Sequence, residues 1–255
     1  LKLAYVEWDS EVASTNVVRA VLEEKLGYKV EMLAVSAAAM WKGVATKDAD
    51  AMVAAWLPTT HGHYLEAVKD DVEDLGPNLE GTQIGLVVPN YVSLNSIEDL
   101  KTQGDKIRNR IIGIDPGAGL MSATENVLKE YNLDNIELLE GSGATMAMAL
   151  SEAIENNAWI IVTGWAPHWK FARWNLRFLK DPKKVYGESE YISTIVRKGL
   201  KEEHPEAYQF LDKFNWTPED MALVMVWNQE SGASPYENAK RWVKENSEKV
   251  ESWLR

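Results

Sequence analysis

The sequence predicts an α/β protein of two lobes, each a mainly parallel sheet flanked by helices. Three observations carry that reading. Short apolar runs alternate with amphipathic stretches, as expected when helices cover the faces of a parallel sheet. The alternation occurs twice, once on either side of residue 90. Extended segments near Val88–Val92 and Tyr191–Thr194 give the chain two places to cross between lobes. Residues 1–90 and 193–255 would then build one lobe and residues 91–192 the other. A chain of 255 residues is long enough for two hydrophobic cores. Two extended crossings also suit a hinge.

The elements follow in order. Leu3–Val6 is a short strand, and Asp9 or Ser10 can cap a helix carrying Val12, Val17, Val18, Val21 and Leu22, stopped by Gly27. Tyr28–Val35 alternates as a strand, Ser36 caps a helix through Met40, Trp41 and Val44, and Ala51–Trp56 is a buried strand. A polar helix over Tyr64–Val72 closes at Gly76-Pro77, and Gln83–Val88 is the next strand. The second half opens with a short helix capped by Ser96, then a strand at Ile111–Ile114 and a helix over Leu120–Tyr131. Ile136–Leu139 and Trp159–Val162 read as strands around a helix at Ser142–Ile154. Tyr191–Val196 is a returning strand. The remainder is helical, with a start at Thr217-Pro218 and a last helix over Ser234–Trp253.

Composition narrows the function. Acidic residues outnumber basic ones 39 to 27, a net charge of −12, which disfavours nucleic acid and an anionic membrane surface as partners. There is no cysteine, so thiolate catalysis, disulfides and Cys-type zinc sites are excluded. No run is long and apolar enough to span a bilayer. The chain begins directly in a strand pattern without Met, as expected of a mature or trimmed form. Eleven Trp stand against four Phe, so indole faces are candidates for a binding role.

Four segments can carry chemistry. Ile114-Asp115-Pro116-Gly117-Ala118-Gly119-Leu120 joins a strand to a helix start, where outward-facing N–H groups favour an anion. It is compatible with a small carboxylate or phosphate, with a mere tight turn, or with a dinucleotide, although Ser122 replaces the third glycine of that last motif. Trp56-Leu57-Pro58-Thr59-Thr60-His61-Gly62-His63 follows a strand, where open α/β sheets bind ligands. Its two histidines lack the further ligands a metal needs, and a single His donating to an anion fits better. Gly164-Trp165-Ala166-Pro167-His168-Trp169 follows a strand in the other lobe, and Trp169 also fits a core role. Trp8 follows the first strand and precedes a helix, where it can equally be packing. Trp8, Trp56 and Trp165 thus each stand just past a strand. Indole faces gathered around a cation attract it through the ring quadrupole, and a quaternary ammonium has no N–H that needs a hydrogen bond. With the Gly119–Leu120 amides and His61 for an anionic end, the ligand these residues describe is a betaine.

These segments, with Arg197-Lys198-Gly199 and Phe214-Asn215-Trp216-Thr217, resemble the glycine betaine/proline betaine-binding proteins of ABC importers nearly end to end. The resemblance implies a periplasmic-binding-protein-like fold of type II with ligand in the interlobe cleft. It implies a cation cage of Trp8, Trp56 and Trp165, and a carboxylate held by His61 and by the backbone of Gly119 and Leu120. It further implies a monomer without metal or cofactor, lying outside the cytoplasm in a periplasm or on a lipid anchor. Such a protein docks on a membrane permease driven by a separate nucleotide-hydrolysing subunit, and this chain has no Gly-x-x-x-x-Gly-Lys-Ser/Thr loop of its own. Two alternatives stand beside this reading. The same fold could take choline, carnitine or a sulfonium betaine. An enzyme could act on a small amine or acid through His61, His63 or His168 with Asp9 or Asp115, though neither a Gly-x-Ser-x-Gly elbow nor a His-Glu-x-x-His helix is present.

Overall fold

Backbone pairing follows the apolar runs, with shifted boundaries and a different strand polarity near the crossings. The computed structural model describes every residue from Leu1 to Arg255. The chain begins β1 (Lys2–Tyr5), α1 (Asp9–Glu24), β2 (Glu31–Ala34), α2 (Ala37–Ala45), β3 (Ala51–Leu57), α3 (Gly62–Val68) and β4 (Val72–Pro89). Next come α4 (Leu100–Gln103), β5 (Arg110–Ile112), α5 (Gly119–Glu130), β6 (Glu137–Leu139) and α6 (Gly143–Glu155). β7 (Val162–Ala166), α7 (Trp169–Arg173) and β8 (Leu176–Phe178) follow, then β9 (Glu190–Arg197). Five helices close the chain: α8 (Leu200–Glu203), α9 (Pro205–Lys213), α10 (Pro218–Asn228), α11 (Pro235–Glu245) and α12 (Ser247–Trp253). Two compact units emerge, Leu1–Thr82 with Glu190–Arg255, and Gln83–Ser189.

In the first unit the sheet order is β2-β1-β3-β9-β4. β1 runs parallel to β2 and β3, while β9 is antiparallel to both β3 and β4. Every residue of β3 (AMVAAWL) is buried, as expected of a strand covered on both faces. α1 packs on β3 and also against α10 and α11, so polar Ser10, Glu11, Ser14, Thr15 and Asn16 are buried along with its valines. The C-terminal helices hold a second core of Phe210, Phe214, Trp216, Trp242 and Trp253, with Trp242 and Trp253 stacked at 6.0 Å. Much of the tryptophan excess is therefore packing.

In the second unit β7 pairs with β4 and β5, and β6 adds outside β5, while β8 pairs β4. β5 is parallel to β6 and β7, whereas β4 is antiparallel to β7 and β8. Both sheets are mixed, their parallel portions confined to the βαβ units. Gly85 and Gly164 face each other across β4 and β7. A Cβ on Gly164 would lie 2.6 Å from Val87 Cγ2, so only glycine fits there.

Several expectations are corrected. No helix closes at Gly76-Pro77: α3 ends at Val68, and β4 runs through that dipeptide with register shifts and a left-handed Gly76 (φ +93°). The strand expected at Trp159–Val162 lies instead at Val162–Ala166. As a result Trp56 and Trp165 lie inside β3 and β7, and only Trp8 stands past a strand end. The last helix breaks at Asn246 into α11 and α12. No helix is long and apolar enough to cross a membrane.

Candidate functional site

In the first unit the site is built from β1, α1 and the turn after β3. Trp8 is the N-cap of α1: its carbonyl accepts the Val12 amide at 2.8 Å, and no side chain caps the helix. Neither Asp9 nor Ser10 takes the cap position the sequence allowed them. One turn on, Glu11 points inward, and its Oε1 accepts the indole N–H of Trp56 at 2.6 Å. Its Oε2 accepts the Ser10 hydroxyl. Burial pushes the Glu11 carboxyl up to about 7, against the opposing pull of these hydrogen bonds.

The turn Leu57–His61 is closed on itself. The His61 amide donates to the Trp56 carbonyl at 2.8 Å, and the Trp56 amide donates to His61 Nδ1 at 3.1 Å. Glu190 fixes the middle of the turn, accepting the Thr59 and Thr60 amides at 2.7 Å each and the Thr60 hydroxyl at 2.6 Å. His61 is fully buried, stacked on Trp8 at 6.0 Å and edge-on to Trp41 and Tyr64. Burial, helped by His63, pushes its pKa down to about 3, so the ring is neutral near pH 7. With Nδ1 accepting, the proton sits on Nε2, which makes no regular hydrogen bond; the Ala54 backbone only partly offsets the depression. A neutral, buried imidazole of this kind can donate a hydrogen bond and is a poor base. His63 packs on Tyr64, ring centroids 4.0 Å apart.

In the second unit the site is the start of α5, which packs on β7. Ala118 is the N-cap and brings no side-chain acceptor. The Met121 and Ser122 amides turn back to the Ala118 carbonyl, whereas those of Gly119 and Leu120 donate to no backbone or side-chain acceptor. Both residues are buried. Buried orphan donors at a helix N-terminus, with its positive dipole end, are able to receive an anion. Gly113 holds the turn close: a Cβ there would meet Met121 Sδ at 2.5 Å and the Leu139 carbonyl at 2.7 Å. Gly117, by contrast, would have open space around a Cβ. Trp165 is edge-on to His168 at 4.6 Å, and the Lys170 ammonium lies 4.8 Å from its ring centroid. His168 caps α7, its Nδ1 accepting the Lys170 amide at 3.2 Å.

The first unit thus brings Trp8, Trp56 and His61 together, and the second carries Gly119, Leu120 and Trp165. All three indoles are nearly buried, with exposures of 8%, 4% and 5% for Trp8, Trp56 and Trp165. Sequence reasoning missed Glu11, Glu190 and Lys170. For Glu11 a signal existed, because with Ser14 and Val18 it keeps the helical spacing of the buried face of α1. Glu190 is 130 residues from the turn it holds, and no local pattern reveals that bond.

Residues 1–245 match the family described as OpuAC, the substrate-binding domain of the ABC-type glycine betaine transport system. The glycine betaine/carnitine transport binding protein GbuC of Listeria monocytogenes is 51% identical over 155 residues, 60% of this chain and 51% of that protein. In that alignment the chain spans about half the relative's length. Among solved structures, lactococcal OpuAC, closed on glycine betaine, is similar with a TM-score of 0.96 and 47% identity, covering 100% of this chain and 99% of that one. The ProX protein of Borrelia burgdorferi, described as a glycine betaine, L-proline transporter component, gives 0.96 and 39%, covering 100% and 96%. The shared fold is that of type II periplasmic binding proteins.

Proposed function

The chain belongs to the OpuAC family of substrate-binding domains of ABC-type glycine betaine transport systems, and from that premise we propose that it captures glycine betaine and proline betaine for import. Its family consists of binding domains rather than enzymes. The observation that carries the choice of ligand is the pair of buried, unsatisfied donor sets. His61 Nε2–H in one unit makes no hydrogen bond of regular geometry, only a weak approach to the Ala54 backbone, and the Gly119 and Leu120 amides in the other lack acceptors, while Trp8, Trp56 and Trp165 lie among or beside the same elements. A carboxylate supplies the acceptors, and a quaternary ammonium is the head group that indole faces hold without hydrogen bonds.

In this proposal each unit holds a half-site. Ligand binds both halves and biases the chain toward a closed form, with β4 at Thr82–Gln83 and the entry to β9 at Ser189–Glu190 as the crossings that bend. Each desolvated cation–indole contact contributes about 2 kcal/mol, and each charge-assisted hydrogen bond roughly 1.5–3 kcal/mol, before the ordering costs of closure. The closed protein, a monomer outside the cytoplasm, held there by a lipid anchor or free in a periplasm, then docks on its permease. Choline would leave the orphan donors unused and should bind more weakly than betaines. A sulfonium betaine presents the same charge to the indoles and should bind like its ammonium counterpart.

The test is calorimetric titration with glycine betaine, proline betaine, carnitine, choline and a sulfonium betaine, on the parent and on Trp56→Ala and Trp165→Ala. Both variants should stay folded by circular dichroism and lose about thirtyfold or more in betaine affinity. Retained affinity in either would remove that indole from the site, and a preference for choline would overturn the carboxylate half.

A further inference from the structure

Glu11 is a completely buried carboxylate that the capture scheme does not use. Its neighbours are few. From β3 it faces the Trp56 indole N–H at 2.6 Å, and from its own helix Ser10 and Asp9. The two helices packed on α1 engage different residues: Gln229, at the end of α10, bonds Asp9, and Tyr236 of α11 bonds Glu23. No cation pairs with Glu11. A carboxylate without a cationic partner, with its negative oxygen on an indole N–H, is costly to bury unless something positive arrives nearby.

We propose that ionised Glu11 is a positioning and affinity-setting residue for the cation site, orienting Trp56 through its N–H and enriching the indole face that meets a quaternary ammonium. The inference rests on the proposed function, since it requires Trp56 to be a wall of the cation box. Its physics is direct. An indole whose N–H donates to an anion carries more electron density on its ring, so its quadrupole attracts a cation more strongly. The carboxylate charge adds a longer-range attraction in a poorly screened interior. A neutral Glu11 still accepts the N–H bond through a carbonyl oxygen and still orients the ring, but supplies neither effect. Orientation and affinity are therefore separable.

The burial that raises Glu11 to about 7 puts this change inside the physiological range, while His61, held near 3, stays neutral throughout it. Affinity for the cation should then rise with pH. By linkage, a bound cation favours the ionised carboxylate, so binding near neutrality should release protons.

The experiment compares the full chain with Glu11→Gln, whose amide oxygen can keep the Trp56 bond. Glycine betaine affinity is measured by calorimetry from about pH 5.5 to 8.5, in buffers of different ionisation enthalpy, with near-ultraviolet circular dichroism to report the indole environment. The parent should tighten about tenfold across this range and release a fraction of a proton on binding near pH 7. Glu11→Gln should show an unchanged indole spectrum, a flat profile at the parent's low-pH affinity, and no proton release. A flat profile in the parent, or equal affinity in parent and variant at high pH, would overturn the role given to Glu11. Trp56→Ala keeps the two proposals apart. If it abolishes binding while Glu11→Gln changes nothing, only this inference fails; if it binds normally, the cation box itself is wrong.

Discussion

Trp56 and His61 are bonded twice, the amide of each reaching the other: the Trp56 N–H ends on His61 Nδ1 at 3.1 Å, and the His61 N–H ends on the Trp56 carbonyl at 2.8 Å. The first bond fixes the tautomer, leaving the proton on Nε2. The second closes the turn that carries the ring. A residue proposed for the cation and a residue proposed for the anion are thereby parts of one rigid turn.

Replacing His61 by Ala removes the Nε2 donor and the Trp56 amide's acceptor together. Ligands with a carboxylate should weaken by about tenfold or more, one charge-assisted hydrogen bond's worth, and choline much less. Parallel titration with glycine betaine and choline checks this. Equal losses for both ligands would show that the ring acts only by holding the turn.

Glu190 fixes the same turn from β9. Its carboxylate accepts two amides and one hydroxyl while almost fully buried. In Glu190→Gln one oxygen becomes an NH₂ that confronts donors, and a buried donor loses its acceptor, at a cost of about 1–3 kcal/mol. Urea denaturation should show that loss, and betaine affinity should fall with it because the turn loosens. Unchanged stability would mean that Thr59 and Thr60 find other acceptors.

What the sequence disclosed divides along physical lines. Local signals gave the βα units: Ser36 and Ser142 cap the helices expected of them, and Thr217 begins α10 with a reciprocal cap through Asp220. The α5 start was legible because a strand, a glycine-rich turn and a helix are contiguous. Strand polarity at β4, β7 and β9 was not, since antiparallel pairing there joins segments far apart in sequence and leaves no local periodicity to read. That is also why Trp165 was placed past a strand: β7 begins at Val162, where the apolar run Trp159–Val162 ends. The indole N–H of Trp56 seeking Glu11 is a contact across 45 residues, equally invisible to local pattern.

Glu11 and His61, both buried, give opposed pH dependences. The pKa of His61 is depressed from 6.5 to about 3, so the stability it contributes is present above pH 6.5 and is lost as pH falls toward 3. The pKa of Glu11 is raised from 4.5 to about 7, so the native state binds the extra proton, and stability is lost as pH rises from 4.5 to 7. A shift of that size corresponds to roughly 3 kcal/mol, an upper bound reached only above pH 7. Thermal unfolding of ligand-free Glu11→Gln should therefore gain on the parent progressively from pH 4.5 to 7.5, with no further gain below that window. A constant offset across pH would place the Glu11 pKa at its ordinary value.

Arg197 ends β9, its side chain nearly buried, and bonds Asp50 at 2.6 Å through Nε and Glu203 at 2.6 Å through one terminal nitrogen. The guanidinium holds the Asp50 carboxyl below its usual range, though burial opposes it. It ties the start of β3 to the end of α8, and Lys cannot reproduce the two-sided fork. Breaking a buried pair by removing one partner costs about 3–5 kcal/mol, and the solvent exposure of Glu203 brings the expectation for Arg197→Met down to about 2 kcal/mol. Because the Asp50 pKa is depressed, its share is present above pH 3.8 and is lost as pH falls through the folded value. Denaturant midpoints at pH 7 and near pH 3 should thus differ between parent and variant, the gap narrowing in acid. Arg197→Lys should recover only part of the loss at pH 7, and a full recovery would show that charge alone, without the fork, holds this corner.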